Sequence, residues 1–124
     1  MKNESPAKPK VLVIDDAVFM RSYAQKFLDF CDVEQEYGIP EDETELAEYD
    51  VLIVDGEGIG NTKYKHGIEF CKAYEKQGRN KVVIYHSGLA PFGENEKALV
   101  AKGVKILTKG GNPDRLVEAI KEIV

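Results

Sequence analysis

Four short apolar runs, each closing on a polar residue, constrain this chain more than any other feature. They are Lys10-Val-Leu-Val-Ile14, Tyr49-Asp-Val-Leu-Ile-Val54, Lys81-Val-Val-Ile-Tyr85 and Val104-Lys-Ile-Leu-Thr108. Their length and Val/Ile content mark buried strands. Strands apolar throughout need cover on both faces, which a parallel sheet obtains from the helices that connect its strands.

The intervening segments supply those helices. Within Ala17–Cys31, residues Met20, Ala24, Phe27, Leu28 and Cys31 recur at helical spacing and make one apolar stripe. Ile68 to Gln77 predicts a helix with Ile68, Cys71 and Tyr74 on one face and Gly78 as its stop. Glu94 to Lys102 predicts another, closed by Gly103. Asn112 caps the last helix, with Pro113 at its first position and Leu116, Val117, Ile120, Ile123 and Val124 on its apolar side. Between the first two runs the signals are weaker: a strand around Val33 and Tyr37, then a short acidic helix over Glu41–Glu48 after Pro40. Gly56 to His66, with Gly58, Gly60 and Asn61, reads as a loop. The pattern is α/β, a doubly wound five-stranded sheet.

At 124 residues the chain holds one domain, with no room for a separate DNA-binding module. We expect residues 1–9 to be a flexible tail and residues 10–124 the domain. The net charge of −5 argues against non-specific nucleic-acid binding. Twelve of the 22 acidic residues fall between Phe27 and Thr62, which holds no Lys or Arg. That stretch reads as a solvated acidic face; the sharper alternative is a docking surface for a basic partner. No run approaches the roughly 18 apolar residues of a membrane helix. The start lacks the apolar stretch of a signal peptide. Cys31 and Cys71 then read as reduced, buried thiols in a cytoplasmic protein.

In doubly wound folds, ligands sit at the carboxyl ends of the strands. Those ends carry Asp15 and Asp16, then Asp55, Ser87 and Lys109. Three converging carboxylates repel one another unless a cation joins them. Oxygen donors without His or Cys favour Mg²⁺. A carboxylate beside such a metal can accept a phosphoryl group, while a lysine and a hydroxyl bind its remaining oxygens.

With these motifs in order, the chain resembles a response-regulator receiver domain, CheY-like, of two-component signal transduction. The resemblance runs from Lys10 to Val124 and includes His66-Gly67-Ile-Glu-Phe70 at the opening of the third helix. It implies a flavodoxin-like (β/α)5 fold with strand order 2-1-3-4-5. It implies that Asp55 is the phosphoacceptor, served by a phosphohistidine of a sensor histidine kinase or phosphotransfer protein. Asp16, Asp55 and the backbone carbonyl of Glu57 would hold Mg²⁺, with Asp15 acting mainly through a metal-bound water. Ser87 would hydrogen-bond the aspartyl phosphate and Lys109 would pair with it. Such a domain assists its own phosphotransfer and dephosphorylation without being a turnover enzyme. With no effector domain in the chain, output would pass through a downstream protein partner or a homodimer, without direct nucleic-acid or membrane contact.

The chain also departs from the family pattern. Asp55 is followed by Gly56-Glu57-Gly58-Ile59-Gly60, without the usual Met-Pro pair, and the loop to Gly67 is longer. Ile106 stands where an aromatic is typical, which leaves Tyr85 either as its substitute or as a core residue. Gly110-Gly111 follows Lys109 where proline is common. His86 reads as pointing away from Ser87, and His66 as a solvated residue of a mobile loop. The missing Met-Pro pair, the long loop and Ile106 favour an alternative, a degenerate receiver acting as a phosphorylation-independent interaction module; the complete set of acid pair, acceptor, serine and lysine opposes it. A phosphatase with an aspartyl intermediate fits poorly, since Asp15 and Asp16 are adjacent and Ala17 follows. No glycine-rich phosphate loop follows the first strand, which argues against a nucleotide-binding domain.

Overall fold

The computed structural model describes residues 8–75, 80–86, 95–109 and 112–124. Five strands form one parallel sheet: β1 (Lys10–Ile14), β2 (Asp32–Glu36), β3 (Val51–Val54), β4 (Lys81–His86) and β5 (Lys105–Thr108). Their order is β2-β1-β3-β4-β5, as the resemblance implies. The helices are α1 (Met20–Phe27), α2 (Gly67–Ala73), α3 (Asn95–Ala101) and α4 (Asp114–Ile123). Among the described residues, no helix is long and apolar enough to cross a membrane.

Side chains alternate across a strand, so the apolar runs feed two cores. Leu12, Ile14, Leu52, Val54, Val82 and Ile84 face one way and pack with Phe70, Cys71, Tyr74 and Leu99. Val11, Val13, Val51, Ile53, Val83 and Tyr85 face the other and pack with Met20, Ala24, Leu28, Leu116 and Ile120. β2 lies at the sheet edge, and only Val33 of its five residues is buried. That explains its weak signal in the sequence.

Register decides where the polar strand ends meet. Ile14 of β1 lies beside Val54 of β3, and the Asp55 N–H continues that ladder by donating to the Ile14 carbonyl at 2.9 Å. The Asp15 N–H donates to the Glu36 carbonyl at 3.0 Å, and the Lys109 N–H to the His86 carbonyl at 2.6 Å. Asp15, Asp55 and Lys109 therefore leave the sheet at one edge and one level.

Several element ends differ from expectation. Met20, Ala24, Leu28 and Cys31 of the expected stripe are buried while Phe27 is only partly so, and the helix stops at Phe27. The Gln25 side-chain amide takes the Leu28 and Cys31 carbonyls instead, at 3.1 and 2.8 Å. The acidic helix is a 3₁₀ segment, Glu43–Glu48, with the Asp42 carboxylate accepting from the Thr44 N–H. α2 ends at Ala73, because Tyr74 turns extended and its hydroxyl donates to buried Asn80. Asn80 in turn donates to the Leu46 carbonyl. The expected stop at Gly78 lies outside the described residues. α3 closes as expected: Gly103 takes a positive φ of 81° and the Val104 N–H donates to the Leu99 carbonyl. α4 begins one residue later than expected, at Asp114, with Pro113 at the capping position; Asn112, just before it, accepts from the Asp114 N–H through its side-chain oxygen at 2.9 Å. Residues 1–7 of the expected tail lie outside the described residues, and the Pro9 carbonyl accepts from the Asp32 N–H.

Candidate functional site

Asp15, Asp16 and Asp55 each offer a carboxylate oxygen within 4.8 Å of the others. The three differ in setting. Asp15 is buried, at 2% exposure, while Asp16 is exposed and Asp55 half-buried. Both oxygens of Asp15 are engaged: one accepts from the Ala17 N–H at 2.9 Å, the other from the Lys109 ammonium at 2.5 Å. The same ammonium stands 3.6 Å from Asp55 Oδ1. That oxygen also accepts a long bond, 3.4 Å, from the Glu57 N–H.

The Asp55 carboxyl is held above its ordinary range. Burial is the main cause; Lys109 opposes it, while the charges of Asp15 and Asp16 add to it. One ammonium among three carboxylates leaves the cluster negative. Its donors are oxygens only, a set suited to a hard divalent cation. Among the described residues, then, the edge brings together Asp15, Asp16, Asp55 and Lys109 as the strand-end reading expects. Ser87 and Gly88, and Gly110-Gly111, lie outside the described residues.

The loop after Asp55 is tied down rather than loose. Ile59 is buried in the core, and its carbonyl accepts from the Ile39 N–H. The Asn61 side chain accepts from the Lys63 and Tyr64 N–H groups. Thr62 donates to Glu41 through both its N–H and its hydroxyl, and Tyr64 donates to Glu43. Gly58 has a positive φ of 74°, and a Cβ there would stand 3.0 Å from an Asp16 oxygen. A Cβ on Gly67 would collide with the Asp55 carbonyl. Two glycines thus let the loop and the start of α2 close on the site.

His66 corrects the expectation of a solvated loop residue. Its Nδ1 accepts from the Glu69 N–H at 3.1 Å, because the first turn of a helix leaves N–H groups without partners. His86 is buried at the end of β4, with its Cβ beside Gly56. Tyr85 is a core residue in the α1–α4 layer, and Ile106 packs against the opposite layer. Several residues of the acidic stretch have internal partners: Glu34 accepts from the Tyr49 hydroxyl, and Asp50 accepts from the Lys10 N–H. Both cysteines are free and buried.

Sequence reasoning missed Gln35. Its side chain donates to the Asp15 carbonyl at 2.7 Å and to the Ala17 carbonyl at 2.9 Å, and accepts from the Arg21 N–H at 2.7 Å. Nothing in the pattern of a weak edge strand announces this.

No family model matches the chain, and no curated protein matches it by sequence. Its fold has close counterparts among solved structures. A CheY-like response-regulator receiver domain protein from Methanospirillum hungatei superposes with a TM-score of 0.73 at 22% identity, covering 94% of this chain and 93% of that one. The chemotaxis response regulator CheY4 of Vibrio cholerae gives 0.69 at 25%, covering 95% and 100%. A response regulator protein from Burkholderia pseudomallei, solved with a phosphorylated aspartic acid, a calcium ion and citrate, gives 0.65 at 19%, covering 88% and 64%. The chain therefore has the receiver-domain fold over nearly its whole length.

Proposed function

We propose that this chain is a phosphorylatable receiver domain of a response regulator, in which Asp55 accepts a phosphoryl group from a phosphohistidine of a sensor kinase or phosphotransfer protein. The observation that carries this reading is the cluster itself: three carboxylates within 4.8 Å and one lysine, delivered by β1, β3 and β5 to a single sheet edge. A site retired from phosphotransfer has no physical need for clustered like charges. The Burkholderia response regulator, which shares this fold, was solved with a phosphorylated aspartic acid and a calcium ion, in keeping with this reading.

The residues present fit Mg²⁺. Asp16 is exposed and Asp55 half-buried, and the Asp55 carboxyl is raised first by burial and then by the charges of Asp15 and Asp16, which a cation would offset. Asp16, Asp55 and the Glu57 carbonyl would hold the ion, with Asp15 reaching it through water. When bound, Mg²⁺ supplies charge neutralisation for the oxygens of the incoming phosphoryl group.

The rest is done by the chain. An Asp55 oxygen forms the new O–P bond as the P–N bond to the donor imidazole breaks, and the imidazole, already protonated on its other ring nitrogen, leaves as the neutral ring with the electron pair of the broken bond. Lys109, already 3.6 Å from Asp55, moves from its bond with Asp15 toward the transferred oxygens. Ser87 supplies a hydroxyl to the same group. Output passes in the cytoplasm to a downstream protein.

Intact mass after incubation with a small acyl phosphate and Mg²⁺ tests the reading. The expected result is a gain of one phosphoryl group that needs Mg²⁺ and is lost in Asp55→Asn. An unchanged mass together with no detectable Mg²⁺ binding would overturn it and leave the phosphorylation-independent module.

A further inference from the structure

α1 begins without a side-chain cap of its own. Phe19 stands at the capping position and makes no such bond. The acceptor comes instead from another element. Gln35, on edge strand β2, accepts from the Arg21 N–H with its side-chain oxygen. Its side-chain nitrogen donates to the Asp15 and Ala17 carbonyls, on either side of Asp16. One amide therefore grips two carbonyls of the turn that carries the acid pair and ties them to the first turn of α1. Asp15 closes the same turn from within, by accepting from the Ala17 N–H. Among the described residues the Asp16 carboxylate accepts no hydrogen bond, so its direction follows from the backbone of this turn.

We propose that Gln35 is a positioning residue that sets the backbone of the Asp15–Ala17 turn and thereby aims Asp16 at the metal site. This rests on the receiver reading given above. Groups that orient metal ligands without touching the ion commonly cost about 10–100-fold in metal affinity when removed. A strut on backbone carbonyls acts in the same manner, one step further from the ion.

The fold supplies a matched control. Gln25, on α1, makes the same three-bond strut at the other end of the α1–β2 seam. It donates to the Leu28 and Cys31 carbonyls and accepts from the Val33 N–H. Loss of either strut weakens the seam; only loss of Gln35 touches the acid turn.

The test compares wild type, Gln35→Met and Gln25→Met, isotopically labelled and metal-free. Mg²⁺ alone is titrated in while the amide resonances of Asp16, Ala17 and Glu57 are followed. Amide exchange at Ala17 is read before metal is added, and thermal stability is measured alongside. We expect Gln35→Met to weaken Mg²⁺ binding about tenfold and to speed exchange at Ala17. Gln25→Met should lower stability and leave both readouts at wild-type values. If Gln35→Met does not fold, Gln35→Asn, too short to span both carbonyls, takes its place in the same comparison. Equal Mg²⁺ affinity in the Gln35 variant and wild type would overturn the proposal alone. A wild type that binds no Mg²⁺ would overturn the receiver reading and the proposal with it.

Discussion

Lys109 and Asp15 are joined across 94 residues of chain by a 2.5 Å bond from ammonium to carboxylate. The Asp15 side chain is 3% exposed and that of Lys109 25%. The lysine thus compensates a buried charge before any phosphoryl group arrives. It is also within reach of Asp55, so its bond to Asp15 marks the resting arrangement of the site.

Lys109→Met removes that compensation. A buried carboxylate stripped of its cationic partner costs about 3–5 kcal/mol. We expect a loss of that size in urea unfolding of the metal-free protein. Added Mg²⁺ should recover part of it, because the cation takes over the neutralisation. Unfolding curves with and without Mg²⁺ check this.

Asp55→Asn should stabilise the metal-free fold at neutral pH. In the folded chain the Asp55 carboxyl titrates above its usual 3.8, chiefly through burial. Between the unfolded and folded values the folded state holds the extra proton. Stability contributed here falls as pH rises through that window, and the cost persists in full above it. The variant's advantage should therefore shrink as pH falls toward 3.8 and shrink again when Mg²⁺ binds wild type. Melting temperatures from acid to neutral pH read both effects.

Gly58→Ala should cost about 1–2 kcal/mol, because a side chain at positive φ brings its Cβ against the following carbonyl. The new methyl would also press on the Asp16 carboxylate. We expect a lower melting temperature together with weaker Mg²⁺ binding. A stability loss with unaltered Mg²⁺ binding would separate loop strain from site geometry.

Ile59→Ala tests whether the loop after Asp55 is anchored by its one buried side chain. Ile59 is 1% exposed, so truncation should cost about 2–5 kcal/mol. Protection of the Ile39 amide, which donates to the Ile59 carbonyl, should fall with it. Hydrogen exchange at that amide is the direct readout.

Neither thiol should react with a disulfide reagent in the native protein. Cys31 is pushed up to about 11, by burial first and by the nearby charges of Asp32 and Asp50. Burial drives Cys71 up as well. Labelling should track global unfolding, with both thiols modified only in denaturant.

The central strands were legible because a strand buried on both faces has few residue types open to it: Val51-Leu-Ile-Val54 has no polar position to conceal its role. The acids and the lysine were legible because a strand's last residue has one direction to go, outward at the sheet's edge. Ser87 lies outside the described residues, so its place at that edge stays an expectation from the strand pattern. β2, the end of α1 and the folding of the glycine loop were not legible. Each depends on partners far away in sequence: Gln25 on the Cys31 carbonyl, Thr62 on Glu41, Gln35 on the Asp15 carbonyl. A single side-chain bond leaves no period in a sequence. The alternating apolar pattern by itself determined an α/β sheet with an acidic carboxyl edge. Only the tertiary structure decided that Lys109 rests on Asp15, that His66 caps a helix, and that Gln35 holds the acid turn. Those outcomes depend on distances between segments, which are set when the sheet assembles.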